Sequence, residues 1–205
     1  MSVFGHITTP PQVEKAVLAT LKAHSNGYLR EMERVSGRQP FDFPNVVSWR
    51  ATDDIAERFP EQMIPAVQLA LTTDADLTTE ADDVIGGFRG TIDVVVQSAE
   101  AERARELASL YAYSLGLIIL QNPQLDGSVN CRGTGWERIG TPQVGKLKGE
   151  SRWLSIGTAT IICAVAGIAS PLMGPEAPIG PDEEATPPAD YPVAEHTKLT
   201  VTLED

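Results

Sequence analysis

Apolar and polar positions recur along this chain with two different periods. Between Thr9 and Gly37 the period is helical: Val13, Ala16, Val17, Leu21, His24, Tyr28 and Met32 return at steps of three and four. Thr9-Pro10-Pro11-Gln12 reads as the start: Thr9 caps, Pro10 stands where a missing N–H costs nothing, and Gln12 completes a capping box. Ser36-Gly37 ends it. A second helical stripe, made of Ala104, Leu107, Ala108, Tyr111, Leu115, Ile118 and Ile119, is capped by Ser98 and stopped at Asn122-Pro123. Glu100 and Glu102 fall in its favourable first turn. Both stripes are one-sided, so each helix lies against another layer.

Elsewhere the period is two. "NVVSWRA" (45–51), bounded by Pro40 and Pro44, predicts a short strand. In "IPAVQLALTT", Val67, Leu69 and Leu71 face one side and Gln68, Ala70 and Thr72 the other. In "GGFRGTIDVVVQS", Phe88, Ile92, Val94 and Val96 oppose Arg89 and Asp93. The acidic, threonine-rich stretch 74–83 between them predicts a polar loop at the tip of a long antiparallel pair. "GSVNCRGTGWERIG" (127–140) is strand-like but rich in glycine, which predicts a bulged or edge strand. A basic loop with Lys146 and Lys148 follows it.

The stretch "RWLSIGTATIICAVAGIASPLMG" (152–174) admits two readings. It carries no charge after Arg152, is long enough to cross a bilayer as a helix, and has positive charge before it and negative after. Against a span stands its crowd of β-branched residues: Ile156, Thr158, Thr160, Ile161, Ile162, Val165 and Ile168. Ile156, Thr158, Thr160, Ile162 and Ala164 share one face and Ile161, Cys163 and Val165 the other, which predicts a central strand covered on both sides and ended by Pro171.

Beyond this point the chain changes character. Six prolines, at 175, 178, 181, 187, 188 and 192, mark an extended spacer. Eight carboxylates and one cation, Lys198, lie between 176 and 205, so −7 of the formal net charge of −12 sits there. The end recovers alternation: Leu199, Val201 and Leu203 against Thr200 and Thr202. The organisation is therefore an α+β domain over residues 1–170, a mixed or antiparallel sheet flanked by two main helices, followed by an acidic, proline-rich arm over 171–205 that ends in a strand.

Charge narrows the partners. An acidic chain is repelled by nucleic-acid backbones and anionic membrane surfaces. Cys131 and Cys163 form no CxxC and are read as free thiols of a reducing compartment. The N-terminus has no basic and apolar run of the signal-peptide kind. His6, His24 and His196 are scattered, and no hydrolase triad order, HExxH, nucleophile elbow or P-loop is present. "GGFRG" and "GTGWERIG" lack the strand-to-helix placement of a dinucleotide fingerprint. Asp74, Asp76, Glu80, Asp82 and Asp83 lack the glycine and ligand rhythm of an EF-hand, and a solvated tip is the simpler account. The expectation is a protein that works by contact, with no catalytic residue, cofactor or metal. The terminal strand must pair with something, and a neighbouring copy is the natural outlet.

The order of elements, carried by "PAVQLALTT", "GGFRGTIDVVVQSAEAERARELASLYAYSLGLIIL", "GSVNCRGTGWERIG" and "RWLSIGTATIICAV", resembles the tail terminator proteins of long-tailed, siphovirus-type bacteriophages over residues 9–168. The resemblance implies a hexameric ring on the finished tail tube. Such a ring ends tube polymerisation and offers the docking surface for the head connector. Its implied partners are copies of itself, the major tail tube protein and a head-completion protein. DNA would pass through the lumen without specific binding, and no membrane is involved. The implied location is the virion, at the head–tail interface, after assembly in the host bacterial cytoplasm. The alternative is another neck component, a head-closure or head–tail adaptor protein; a small enzyme and a membrane-anchored protein are further rivals. Within the ring reading, Asp74, Asp76, Glu80, Asp82 and Asp83 lie on one ring face or toward the lumen, and Leu199, Val201 and Leu203 pair with the adjacent subunit.

Overall fold

The first helix forms where the sequence puts it: α1 runs over Pro10–Val35. The Gln12 side chain accepts from the Thr9 N–H at 2.7 Å and from the Thr9 hydroxyl at 3.0 Å, tying the first turn back to its cap. Strand β1 (Ser48–Ala51) follows, then β2 (Ala66–Glu80), β3 (Asp83–Ser98), helix α2 (Ala101–Gln121), β4 (Cys131–Ile139), β5 (Gln143–Gly145) and β6 (Trp153–Ala166). The structure, a computed structural model, describes residues 8–39, 42–51, 64–80, 83–125, 127, 129–146 and 151–167, with backbone alone at 74–80 and 83–84.

The strands make one mixed sheet in the order β1-β2-β3-β6-β4, with β5 also paired to β6. Among the described strands only the β1–β2 pair is parallel. Trp153–Ala166 of the stretch 152–174 therefore enter the fold as sheet: β6 lies between β3 and β4, with Ser98 opposite Trp153 and Ile85 opposite Ala166, while 168–174, with the expected stop at Pro171, lie outside the described residues. The alternation read from the sequence fixes which side is buried. Val67, Leu69 and Leu71 of β2, Phe88, Ile92, Val94 and Val96 of β3, and Ala159, Ile161, Cys163 and Val165 of β6 join one core with both helices. The whole predicted stripe of α2 is buried in it. The result is two layers, helices on one face of a sheet. Gly157 shows how closely the layers meet: a Cβ there would stand 2.7 Å from the carbonyl carbon of Ala108 on α2.

Several expectations need correction. Most of the stretch 74–83 is not a loop. β2 runs on to Glu80 and β3 starts at Asp83, opposite it, with a register shift between Asp74 and Thr78; residues 81 and 82 lie outside the described residues. Threonines at 72, 73, 78 and 79 favour pleated backbone, and cross-strand hydrogen bonds hold it extended whatever the charge. Among the described residues β6 is covered by helices on one side only: α1 and α2 share that face, and on the other Ile156, Thr158 and Ala164 are half-buried and Ile162 exposed, with Thr160 buried. Polar side chains are satisfied laterally there, Thr158 Oγ1 donating to Asp93 Oδ1 at 2.5 Å. Ser98 ends β3 and does not cap α2; the cap is Glu100, whose N–H reaches the Ser98 hydroxyl at 3.4 Å. On α1 the buried row passes from Leu21 to Ser25, Leu29 and Glu33, leaving His24 exposed and Tyr28 and Met32 half-buried. The predicted row takes a step of three from Leu21 to His24 where the buried row takes four to Ser25, so it runs one residue, about 100° of helix, to the side of the core. The strand expected over 45–51 is confined to β1, and β5 arises in what reads as a basic loop.

Candidate functional site

The residues with reactive chemistry are dispersed. Exposed His24 meets the Tyr28 ring edge-on, with centroids 6.4 Å apart. Both line a shallow groove of about 340 Å³ with Ala23, Gly27, Glu31 and Gln121. The Tyr28 hydroxyl donates to Gln121 Oε1 at 2.6 Å, and Glu31 is engaged by Arg34 at 2.8 Å, which holds its carboxyl below the usual range. Among the described residues no three histidine, cysteine or acidic side chains gather as a metal site would need. Both cysteines are free. Burial pushes the Cys163 thiol up to about 12 and raises Cys131 as well, so neither is a ready thiolate. Among the described residues no helix is long and apolar enough to cross a membrane.

The buried polar groups act as braces. Glu33 is buried on α1, accepts from Arg30 at 2.7 Å and accepts the Phe43 N–H at 2.7 Å. Arg30 also reaches the Phe43 carbonyl, and the Tyr111 hydroxyl donates to that of Pro44. Burial raises Tyr111, so it stays a neutral donor. Glu106 bridges Arg38 and Arg103. Burial opposes its charge, but hydrogen bonds from Arg103 and Arg38 outweigh that and lower its carboxyl. With Arg103 also donating to the Asp42 carbonyl at 3.5 Å, these contacts pin residues 42–44 between the helices.

The features suited to contact lie at the flank of the sheet. β4 ends the strand order, and among the described residues no strand pairs with its outer edge. Its register is broken between Cys131 and Gly133 and again between Trp136 and Arg138, as its glycines predict. Thr134 Oγ1 donates to the Ile119 carbonyl at 2.6 Å, fastening β4 to the last turn of α2. Trp136 packs over Gly116, where a Cβ would stand 3.0 Å from its ring, and meets Tyr113 edge-on at 5.0 Å. Tyr113 and Leu120 are 42% and 46% exposed, so α2 shows an apolar ledge beyond the β4 edge. Sequence reasoning missed this ledge. The signal was present in Tyr113, Leu117 and Leu120, apolar positions off the buried stripe of α2.

Of the contact residues expected from the sequence, Asp74, Asp76 and Glu80 fall on β2 and Asp83 on β3, around the shared end of the hairpin; their side chains and all of Asp82 lie outside the description. Leu199, Val201 and Leu203 lie outside the described residues, as does the whole 171–205 arm. The structure therefore brings the four described acids to one end of the sheet and leaves the terminal strand unplaced.

No family model matches this chain, and no curated protein matches it. Among solved structures it is similar to a chain in the virion of a native gene transfer agent (GTA) particle. The identity is 12% and the TM-score 0.39, over 72% of this chain and 95% of that one.

Proposed function

We propose that this chain is a structural virion protein that forms a ring capping a phage tail tube, ending tube growth and presenting the surface to which the head connector docks. It acts by contact, without catalysis. The observation that carries the reading is the sheet's layout: both helices sit on one face, and the edge strands β1 and β4 stand at opposite flanks. A head-to-tail contact between unlike flanks closes into a ring when its rotation closes. The element order that resembles tail terminators is supported alongside it by the long hairpin leading into α2.

The test is tail assembly with the gene for this chain inactivated, beside the mass of the purified 22.0 kDa chain in solution. The reading expects a ring-sized mass, tails of uncontrolled length without the protein, and normal length on adding it back. A monomer in solution, or tails of normal length in its absence, would overturn it; normal tails that fail to join heads would assign it to the adaptor class.

A further inference from the structure

We propose that the outer edge of β4 receives the terminal segment 197–203 of a neighbouring copy as an added strand. This deepens the ring reading and rests on it. The edge is regular from Gly133 to Trp136, between its two register shifts, which leaves room for a short strand. The incoming segment alternates, Leu199, Val201 and Leu203 on one face and Thr200 and Thr202 on the other. Added to β4, its apolar face covers the ledge that Tyr113, Leu120 and half-buried Trp136 leave beyond the present edge. Charge agrees at the ends of the segment: Glu195, Glu204 and Asp205 flank it, and β4 presents exposed Arg138, while its exposed acid, Glu137, is engaged by Arg89.

The length of the arm selects a neighbour over the parent copy. Ala166 donates to the Asn130 carbonyl at 2.8 Å, so the chain leaves the sheet beside the start of its own β4. The proline-rich stretch 175–192 favours an extended form of roughly 55 Å, while β4 spans about 30 Å. A proline-rich, acidic composition of that length suits reaching a neighbouring copy better than folding back onto the parent edge.

The experiment uses the full chain in a Cys131→Ser background, with Cys163 kept because it is buried. One preparation carries Gly135→Cys, where a new side chain meets nothing within 4 Å. The other carries Thr200→Cys or Thr202→Cys. The two are mixed and mildly oxidised. The proposal expects a covalent pair in the mixture, and its loss when Arg138→Glu is added to the first preparation. A link that forms only when both cysteines share one chain, or no link at all, overturns it. As a second reading, deleting 193–205 should raise the concentration at which the ring half-dissociates by about tenfold or more; an unchanged ring overturns the proposal. If the unlinked full chain still sizes as a ring, the proposed function stands while the arm's docking falls; a monomeric full chain removes both.

Discussion

Ile161 and Ile162 are the same residue one position apart on β6, and they live in different places. Ile161 is fully buried between the sheet and the helices, while Ile162 is 36% exposed on the open face. Most of the strand repeats the contrast. Ser155, Gly157, Ala159, Ile161, Cys163 and Val165 are buried on the helix side; on the other Ile156, Thr158 and Ala164 are half-buried, with Thr160 the buried exception. Apolar character on both faces does not imply a cover on both faces. What separates them is fit. The helix side uses Gly157 and Ala159 so that α2 can approach, and the open side is laced by polar pairs, Thr158 with Asp93 and Arg89 with Glu137 at 3.4 Å.

The sharpest way to break this contrast is to truncate the two isoleucines. Ile161→Ala should cost about 3–4 kcal/mol, because it removes a packed side chain and leaves a cavity. Ile162→Ala should cost less than about 1 kcal/mol, since much of its side chain already meets water. Urea unfolding midpoints at unchanged slope measure both. Equal costs would mean that the open face is covered as tightly as the helix face in the assembled protein.

The next largest effect tests the approach of the layers. Gly157→Ala adds one methyl group, yet it points at the Ala108 backbone, which cannot rotate away. The helix has to lift, and we expect a loss of about 3 kcal/mol, at the upper end for overpacking. A thermal unfolding midpoint unchanged from the parent would show that α2 is not seated where Gly157 lets it approach.

Much of this architecture was legible in the residues. The faces of β2 and β3 followed from strict alternation, and the buried stripe of α2 from its period, because in both cases one side of the element meets a continuous core. The capping box of α1 was legible for a local reason: its partners are three residues apart. Other features were set by distant partners. Nothing local says that β2 and β3 extend over Asp74, Asp76, Glu80 and Asp83, since their backbone is held by each other. Nothing in β6 says which of its two apolar faces α2 will choose; the small residues at 157 and 159 become a signal only once a helix is known to cross them. Ser98 looks like a cap on composition alone, yet the β3–β6 pairing reaches as far as Ser98 opposite Trp153 and moves the helix start two residues on. Of the candidate surface, the glycine-rich edge strand was legible from its composition, but the ledge beside it was not. Tyr113 and Trp136 meet only because β4 folds back along α2.

The smallest effect probes the polar lacing of the open face. Thr158→Val keeps the shape and β-branching of the side chain and removes only the hydroxyl that donates to Asp93. Strand propensity is preserved, so the change isolates one hydrogen bond to a charged acceptor. It should cost about 1 kcal/mol, well below Ile161→Ala on the covered side. Double-mutant cycles with Asp93→Ala, which removes the acceptor, read the coupling directly. A coupling near zero would mean that the threonines of β6 serve the open face by shape alone, and that lateral hydrogen bonding is not what lets this face stand without a helix.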